Sequence, residues 1–284
     1  MTEPGKALAA AICLLLTLAS GCGNSEESGV QEAEPETGAD FTYFSAAEPV
    51  QQQFYVKWQA LANDPVPELT IYDKPGAYAP DLVDDAMNAQ LMLMLDEPEY
   101  SQILRYYAVY PGEADGRFTM TAVYDSRECT LAENIRRLDE VMAKIREKAR
   151  EFGALPTPED KYRAAYDWLA HTAYDFSDEP PISSHTIYGA AVEEISLCDG
   201  LAYTYTLVCR EMGLPCYTAA GTLGDNSHVW NIVPFENEWR LTDITSGQDE
   251  AMRGELTYLR FLCADISADG RKPLEDIPAI DCNF

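Results

Sequence analysis

The chain has 284 residues, of which 46% are hydrophobic and 24% are charged. This composition suffices for one large domain or two modest ones, and it excludes a chain that is disordered throughout. The 48 acidic and 20 basic residues give a net charge of -28. Such a charge would repel phosphate backbones and anionic lipid headgroups, so we do not expect a nucleic-acid partner.

Residues 1–21 have the pattern of an export signal. An apolar run follows Lys6 and extends to Ser20, which is too short to cross a bilayer that requires about 20 residues. The run ends in small residues directly before Cys22, and this ending resembles the lipobox of bacterial lipoproteins. The resemblance implies cleavage before Cys22, a lipid on Cys22 and a location at the outer face of the bacterial cytoplasmic membrane. Ordinary secretion is the alternative.

Residues 22–40 are predicted to be a disordered acidic tether. They are rich in Glu, Gly and Ser and contain almost nothing to bury, so burial of apolar surface cannot offset the entropy of ordering them. Since the protein surface is acidic, we expect the lipid alone to supply the link to the membrane.

Residues 41–155 are predicted to form a small N-terminal α/β region. Helical apolar spacing predicts helices over 51–61 and 81–95, the second capped by Asp81, and alternation predicts a strand over 118–124. Thr130 and Glu133 form a capping box that begins a helix, and Gly153 ends it.

Residues 156–284 are predicted to form a catalytic domain of the α+β class. Thr157 and the proline after it begin a helix that runs toward His171. A second helix starts near Cys198, with Ser196 as its cap, and ends at Gly213. Strands predicted over 216–221, 228–233 and 239–244 would follow as an antiparallel meander.

Cys198 is the candidate nucleophile of this domain. A nucleophilic cysteine must be a thiolate near neutral pH, and amides in the first turn of a helix favour that form. The carboxylate of Asp199 opposes it, so a histidine partner is needed. Of the three histidines, His228 begins a predicted strand, whereas His171 and His185 are interpreted as structural.

His228 and Asp243 can meet on one face of the last two strands, because side chains alternate along each strand. A hairpin loop at residues 235–236 would pair His228 directly with Asp243. A four-residue loop would keep both on one face with Asp243 diagonal to His228, and a three-residue loop would separate them. On a shared face, the carboxylate would fix the imidazole tautomer and stabilise its cation.

The segments that contain these residues resemble the transglutaminase-like superfamily, specifically the bacterial branch related to papain-fold cysteine proteases. The matching segments are residues 196–202, 209–216, 227–231 and 239–245, together with residues 166–169, 174–175 and 185–189 upstream of them. Residues 96–100 give a much weaker match to a segment that often precedes such domains. The resemblance covers about residues 157–250. It implies a papain-like core in which the helix that bears the nucleophile packs on an antiparallel sheet.

By this resemblance Cys198 is the nucleophile, His228 the base and Asp243 the residue that orients it. The implied reaction is acyl transfer from a peptide or glutamine-type amide through a thioester on Cys198, ending on water or on an amine. A protein or cell-wall peptide is the expected substrate. Transglutaminases also use an upstream aromatic residue at the oxyanion, for which Tyr174 is a candidate. The alternative is a surface binding module that keeps this fold without turnover.

The remaining cysteines and acidic residues give weaker signals. Cys209 is interpreted as a core residue, and Cys263 with Cys282 is a plausible disulfide in an exported protein. No cysteine pairs occur at zinc spacing, and we expect neither a metal nor a cofactor. Residues 265–276 have the oxygen-ligand spacing of a calcium loop, but we interpret them as an Asp-Gly turn because a proline follows closely.

Overall fold

The computed structural model of the chain describes residues 41–252, 254, 256–265, 270–276 and 278–280. The predicted signal peptide, the lipid attachment at Cys22 and the acidic tether lie outside the described residues. So do Cys282, with its predicted disulfide, and the middle of the predicted calcium loop. The described residues belong to one compact unit, and the prediction of a domain boundary near residue 155 stays a prediction.

The leading part consists of five helices and a three-stranded sheet. Its elements are α1 (Tyr43–Ala46), α2 (Pro49–Asn63), β1 (Glu68–Pro75), α3 (Pro80–Asp96), a short 3-10 turn (Pro98–Tyr100), α4 (Ser101–Leu104), β2 (Tyr107–Ala114), β3 (Arg117–Tyr124) and α5 (Leu131–Gly153). The strands are antiparallel in the order β1-β3-β2. The predicted helices over 51–61 and 81–95 and the strand over 118–124 are confirmed as α2, α3 and β3.

Strand β1 could not be predicted because its sequence does not alternate. It lies at the edge of the sheet, only Ile71 within it is buried, and its register shifts between Thr70 and Tyr72. An edge strand with one buried side chain and a bulge lacks the period-two pattern on which a sequence prediction relies.

The helix starts were predicted with mixed success. The hydroxyls of Thr130 and Thr157 accept hydrogen bonds from the backbone N–H groups of Glu133 and Asp160, so both predicted caps are confirmed. Asp81 is not a cap, because the helix begins one residue earlier, at Pro80, and Asp81 lies in its first turn. A proline at the first helical position fixes φ in advance and needs no N–H partner, which explains the earlier start.

The second part places a helix layer against a four-stranded sheet. Its elements are α6 (Pro158–Ala170), β4 (Ala173–Tyr174), a 3-10 turn (Ile182–His185), a π-helical turn (Gly189–Glu193), β5 (Ile195–Ser196), α7 (Cys198–Glu211), β6 (Tyr217–Leu223), β7 (Asn226–Phe235), β8 (Glu238–Thr242), α8 (Ile244–Met252) and β9 (Arg271–Pro273). The sheet is antiparallel in the order β8-β7-β6-β9, and β4 and β5 form a separate parallel pair.

Helix α7 is the centre of this part. It contacts β6 and β7 of the sheet as well as α5, α6 and α8, so nearly its whole length is buried rather than a single stripe. Gly213 ends it at a φ of +73°, where the N–H of Leu214 donates to the carbonyl of Cys209 at 2.9 Å. The predicted α+β class, with the Cys198 helix on an antiparallel sheet, is confirmed.

Two kinds of feature are not found among the described residues. Within the described ranges, none of the helices has both the length and the apolar character to cross a membrane. Among the same residues, no group of three or more His, Cys, Asp or Glu side chains is arranged to hold a metal ion.

Candidate active site

The thiol of Cys198 lies at the first position of α7 and is partly exposed. The residue before the helix is Leu197, which offers no side-chain cap. Ser196 was predicted to cap the helix, and that prediction is wrong. Ser196 belongs to β5, is fully buried and donates its hydroxyl to the carbonyl of Ser184 at 3.0 Å. Within the first turn of α7, the N–H of Gly200 donates to Oδ1 of Asp199 at 3.0 Å.

The start of α7 approaches the preceding segment closely, and Gly200 makes this possible. A Cβ atom at Gly200 would collide with the Ser196 hydroxyl and would lie 2.7 Å from the carbonyl oxygen of Thr186. No side chain fits there without displacing the segment. Close packing thus explains why residue 200 is a glycine. The absence of a side chain there lets the start of α7 hold the thiol at a fixed distance from the buried segment.

The hairpin of β7 and β8 sets the relation between His228 and Asp243. Its turn consists of Glu236 and Asn237, whose φ angles are +54° and +62°, as a two-residue turn of type I′ requires. Pro234 pairs with Trp239, so the register is the one in which Asp243 is diagonal to His228. Of the alternatives considered, the loop at residues 235–236 does not occur, and the register is the one expected of a four-residue loop, although the turn itself has two residues. Asparagine at the second turn position tolerates the left-handed conformation better than other non-glycine residues do.

His228 and Asp243 form a buried hydrogen-bonded pair. The Nε2 atom of His228 lies 2.9 Å from Oδ2 of Asp243, and both side chains are buried. The other carboxylate oxygen accepts from the backbone N–H of Thr245 at 3.1 Å. The imidazole lies nearly parallel to the indole of Trp230, with ring centroids 6.0 Å apart. Stacking on Trp230 therefore fixes the plane of the imidazole, and the hydrogen bond to Asp243 fixes the position of Nε2.

The electrostatics of the pair favour an imidazolium and a carboxylate. Burial lowers the pKa of His228, but hydrogen bonds with Asp243 and Cys198 outweigh it and raise the pKa to about 9. Burial likewise raises the pKa of Asp243, and the hydrogen bond and charge of His228, with the charge of Arg271, bring it below its ordinary value. The carboxylate is thus ionised and the imidazole is protonated near neutral pH.

Cys198 and His228 open onto the same cavity, which has a volume of about 410 Å³. Since Asp243 occupies Nε2 of the imidazole, Nδ1 is the nitrogen that remains for the Cys198 thiol. The cavity is also lined by Leu91, Arg105, Tyr174, His185, Leu197, Asp199, Ala220, Gly221, Ser227, Val229 and Leu274. The structure therefore brings the predicted nucleophile and base together at a cleft, with the predicted acid behind the base.

A second charged cluster lies beside Cys198 and was not predicted. The Oδ2 atom of Asp199 lies 2.6 Å from Nη2 of Arg105 and 2.9 Å from Nδ1 of His185. Asp199 is next to Cys198 in the chain, and its negative charge opposes formation of the thiolate. The guanidinium and the imidazole that contact Asp199 offset this charge. Arg105 lies 94 residues away in the leading part, so no local pattern indicates this contact.

Of the other residues discussed in the sequence analysis, some line the cavity and others lie elsewhere. His171 lies at the end of α6 with Nδ1 2.6 Å from the carbonyl of Asp167, and it does not line the cavity. His185, by contrast, lines it. Tyr174 also lines it, with its ring 4.9 Å from that of the exposed Phe176. Cys209 is fully buried, which confirms its interpretation as a core residue.

Residues 146–244 match the family model of the transglutaminase-like superfamily, so a transglutaminase-like domain lies in this part of the chain. It contains Cys198, His228 and Asp243. The match begins within α5, so Arg105 and the C-terminal strand β9 lie outside the matched residues.

The chain is also similar to proteins of known identity or structure. It is 25% identical over 139 aligned residues to the human kyphoscoliosis peptidase, covering 43% of this chain and 20% of that one. The crystal structure of a TGase has 17% identity and a TM-score of 0.34, over 48% of this chain and 43% of that one. A candidate cysteine protease from Cytophaga hutchinsonii has 14% identity and a TM-score of 0.32, over 49% of this chain and 62% of that one. The chain thus spans a fifth of the length of the curated relative and less than two thirds of either structure.

Proposed function

We propose that the chain is an exported, lipid-anchored thiol enzyme that cleaves or transfers the acyl group of peptide or glutamine-type amides. In this proposal Cys198 is the nucleophile, His228 the general acid and base, and Asp243 the residue that orients His228. One observation carries it: Cys198 and His228 share a cavity, and the far nitrogen of the imidazole lies 2.9 Å from the buried Asp243 carboxylate.

The first half-reaction would form a thioester. The Cys198 thiolate attacks the amide carbon, and the carbonyl π electrons move onto oxygen. As the C–N bond breaks, the protonated His228 gives its proton to the leaving nitrogen, which departs as ammonia or an amine. The resting imidazolium described above supplies this proton, and the ionised Asp243 keeps the ring oriented for the transfer.

The negative oxygen formed in this step requires hydrogen-bond donors. The backbone N–H groups in the first turn of α7 lie next to Cys198, and the positive end of the helix dipole adds to their effect. Donors that are fixed before the reaction stabilise the charge without reorganisation, so this site does not depend on a side chain such as Tyr174.

The second half-reaction decides between hydrolysis and transamidation. In both, neutral His228 accepts a proton from the attacking water or amine, the C–S bond breaks, and the thiolate is restored. A cavity lined by both apolar and polar side chains is suited to a peptide segment. The export signal and lipobox would place the enzyme where proteins and cell-wall peptides are available.

The thiol chemistry can be tested on the full chain without its lipid, by labelling with a fluorescent iodoacetamide probe. We expect rapid labelling of wild type and loss of that rapid phase in Cys198→Ala. Cys263→Ala is the matched control, because Cys263 is the other partly exposed thiol among the described cysteines. Equal labelling of wild type and Cys198→Ala, or no rapid labelling of the reduced protein, would favour the binding module over the enzyme.

The acyl step has its own readout in mass spectrometry. We expect a glutamine-containing peptide to leave an adduct on Cys198 at low pH, where breakdown of the thioester is slow, and a primary amine to divert the product if transamidation occurs.

The lipid anchor is tested separately by Cys22→Ala, which should release the protein from the membrane fraction. Continued membrane retention of that variant would remove the anchor from the proposal.

A further inference from the structure

Strand β9 brings the C-terminal segment to the edge of the sheet beside the thiol site. It pairs with β6, so that Lys272 is the partner of Thr222 and Pro273 the partner of Gly221. It follows the residues that match the family model, and therefore nothing in that match assigns it a role. Leu274, directly after it, lines the cavity that holds Cys198.

Gly221 permits β9 to approach this closely. A Cβ atom at Gly221 would collide with the carbonyl oxygen of Lys272 and would lie 2.6 Å from the indole of Trp230. Any side chain at this position would push β9 away from the sheet. The backbone of β9 and the Trp230 indole, on which the His228 ring stacks, thus both lie close to Gly221.

This approach carries the side chain of Arg271 to Asp243. Its Nη2 atom contacts Oδ2 of Asp243, and the two side chains are 1% and 2% exposed. The guanidinium also lies over the Trp230 ring, 5.9 Å from its centroid. A buried cation next to a buried carboxylate forms an ion pair that is costly to break, because either charge alone would be uncompensated.

The Oδ2 atom of Asp243 is therefore shared by His228 and Arg271. The other groups around the carboxylate are neutral donors: the backbone N–H of Thr245 and the hydroxyl of Ser246, which is 3.4 Å from Oδ2. The hydroxyl of Tyr166 donates to the backbone carbonyl of Asp243 from α6. With two planar groups on one oxygen, the orientation of the carboxylate is fixed relative to the imidazole.

We propose that Arg271 is a positioning residue of the thiol site, which fixes the Asp243 carboxylate against His228, and that β9 is accordingly part of the active site. This inference rests on the proposed function and extends it to a segment outside the matched domain. Arg271 acts through Asp243, and no contact with the substrate is assigned to it.

Two effects of Arg271 on His228 have opposite signs, which makes the proposal testable. As a positioning residue, Arg271 keeps Asp243 in place to stabilise the imidazolium, so its loss would make the thiolate–imidazolium pair form less readily. As a mere nearby cation, it would repel the imidazolium, and its loss would make the pair form more readily.

The experiment is the pH dependence of Cys198 alkylation by iodoacetamide in the full chain, followed by mass spectrometry of the Cys198 peptide. We expect Arg271→Met to lower the alkylation rate at pH 7 about tenfold and to move the acid limb of the profile to higher pH. A tenfold loss is at the lower end of the effect that mutation of the residues supporting a metal ligand has on activity. Arg271→Lys should recover part of the loss. Arg240→Met is the control, since Arg240 lies in the same sheet and pairs with the exposed Glu238.

The outcomes separate the two claims. If wild type and His228→Ala give the same profile, the proposed function fails. If His228→Ala changes the profile but Arg271→Met does not, or moves the acid limb to lower pH, the role of Arg271 is overturned. Gly221→Ala, which leaves Arg271 intact but displaces β9, should reproduce the Arg271→Met profile. It provides the same test if Arg271→Met does not fold, and a wild-type profile for a folded Gly221→Ala would contradict the proposal.

Discussion

The Asp243 carboxylate meets the His228 imidazole at 2.9 Å although the two residues are not partners across the hairpin. The turn at Glu236 and Asn237 sets a register in which the acid follows the end of β8 and reaches diagonally to the ring. Arg271 of β9, from the opposite edge of the sheet, contacts the same carboxylate.

Neutralising Asp243 should abolish the raised pKa of His228. In Asp243→Asn, burial and the charge of Arg271 oppose the imidazolium and the contact with Cys198 still favours it, so the pKa of His228 should fall from about 9 toward its ordinary value of 6.5. We expect kcat to fall about 10⁴-fold, as it does when the carboxylate of a serine–histidine triad is made an amide. NMR titration of the His228 ring and peptide-cleavage kinetics measure the two effects. Asp225→Asn, on the exposed turn before β7, should leave both unchanged.

The same ion pair should make stability depend on pH in the alkaline range. The pKa of His228 is raised on folding from 6.5 to about 9, so its contribution is fully present below pH 6.5 and is lost as the pH rises through 9. The contribution is about 3 kcal/mol by linkage. Thermal unfolding of wild type and His228→Gln should therefore differ more at pH 6 than at pH 10. An equal difference at both values would show that the ring contributes through packing alone.

Arg105 should speed the reaction of Cys198 with electrophiles. Its Nη2 atom lies 2.6 Å from Oδ2 of Asp199, the residue next to Cys198, so the guanidinium offsets the negative charge beside the thiol. In Arg105→Met, the Asp199 carboxylate loses the guanidinium and keeps its contact with His185. We expect alkylation of Cys198 at pH 7 to slow about threefold to tenfold.

The double variant Arg105→Met with Asp199→Asn tests whether charge is the cause. Removing the carboxylate as well should bring the rate back toward wild type, whereas a structural defect would persist. Arg117→Met, which breaks only the exposed pair with Asp73, should match wild type throughout.

These contacts show which parts of the site were accessible from the sequence. Cys198, His228 and Asp243 could be selected because the helix start, the strand alternation and the family motifs all lie within short segments. Arg105 and Arg271 could not, since each reaches the site from an element whose position depends on tertiary packing. β9 has only three residues, too few for periodicity, and its location depends on the absence of a side chain at Gly221. The cap at Ser196 failed for the same kind of reason, because β5 uses that hydroxyl within a buried segment.

Tyr174 should act through its ring rather than its hydroxyl. The ring packs on Phe176 and lines the cavity, while the proposed oxyanion donors are backbone N–H groups at the start of α7. We therefore expect Tyr174→Phe to keep kcat/KM within about twofold and Tyr174→Ala to raise KM, because the cavity loses a wall. A fall in kcat of about 10²- to 10³-fold in Tyr174→Phe, the usual cost of losing an oxyanion donor, would assign the hydroxyl to catalysis instead.

Adding one methyl group at Gly200 should disturb the site more than its size suggests. The new Cβ would meet the Ser196 hydroxyl and the carbonyl oxygen of Thr186, at 2.7 Å, and neither can move without breaking the buried segment before Cys198. We expect Gly200→Ala to destabilise the fold by about 1–3 kcal/mol and to reduce alkylation of Cys198, as measured by urea unfolding and by labelling. Gly153→Ala is the matched control. Its Cβ would have the Met212 side chain at 3.9 Å as its nearest neighbour, so the fold should be unchanged or slightly more stable. A Gly200→Ala variant as stable and reactive as Gly153→Ala would mean that the helix start can shift without moving the thiol, and the fixed position of Cys198 would then need another cause.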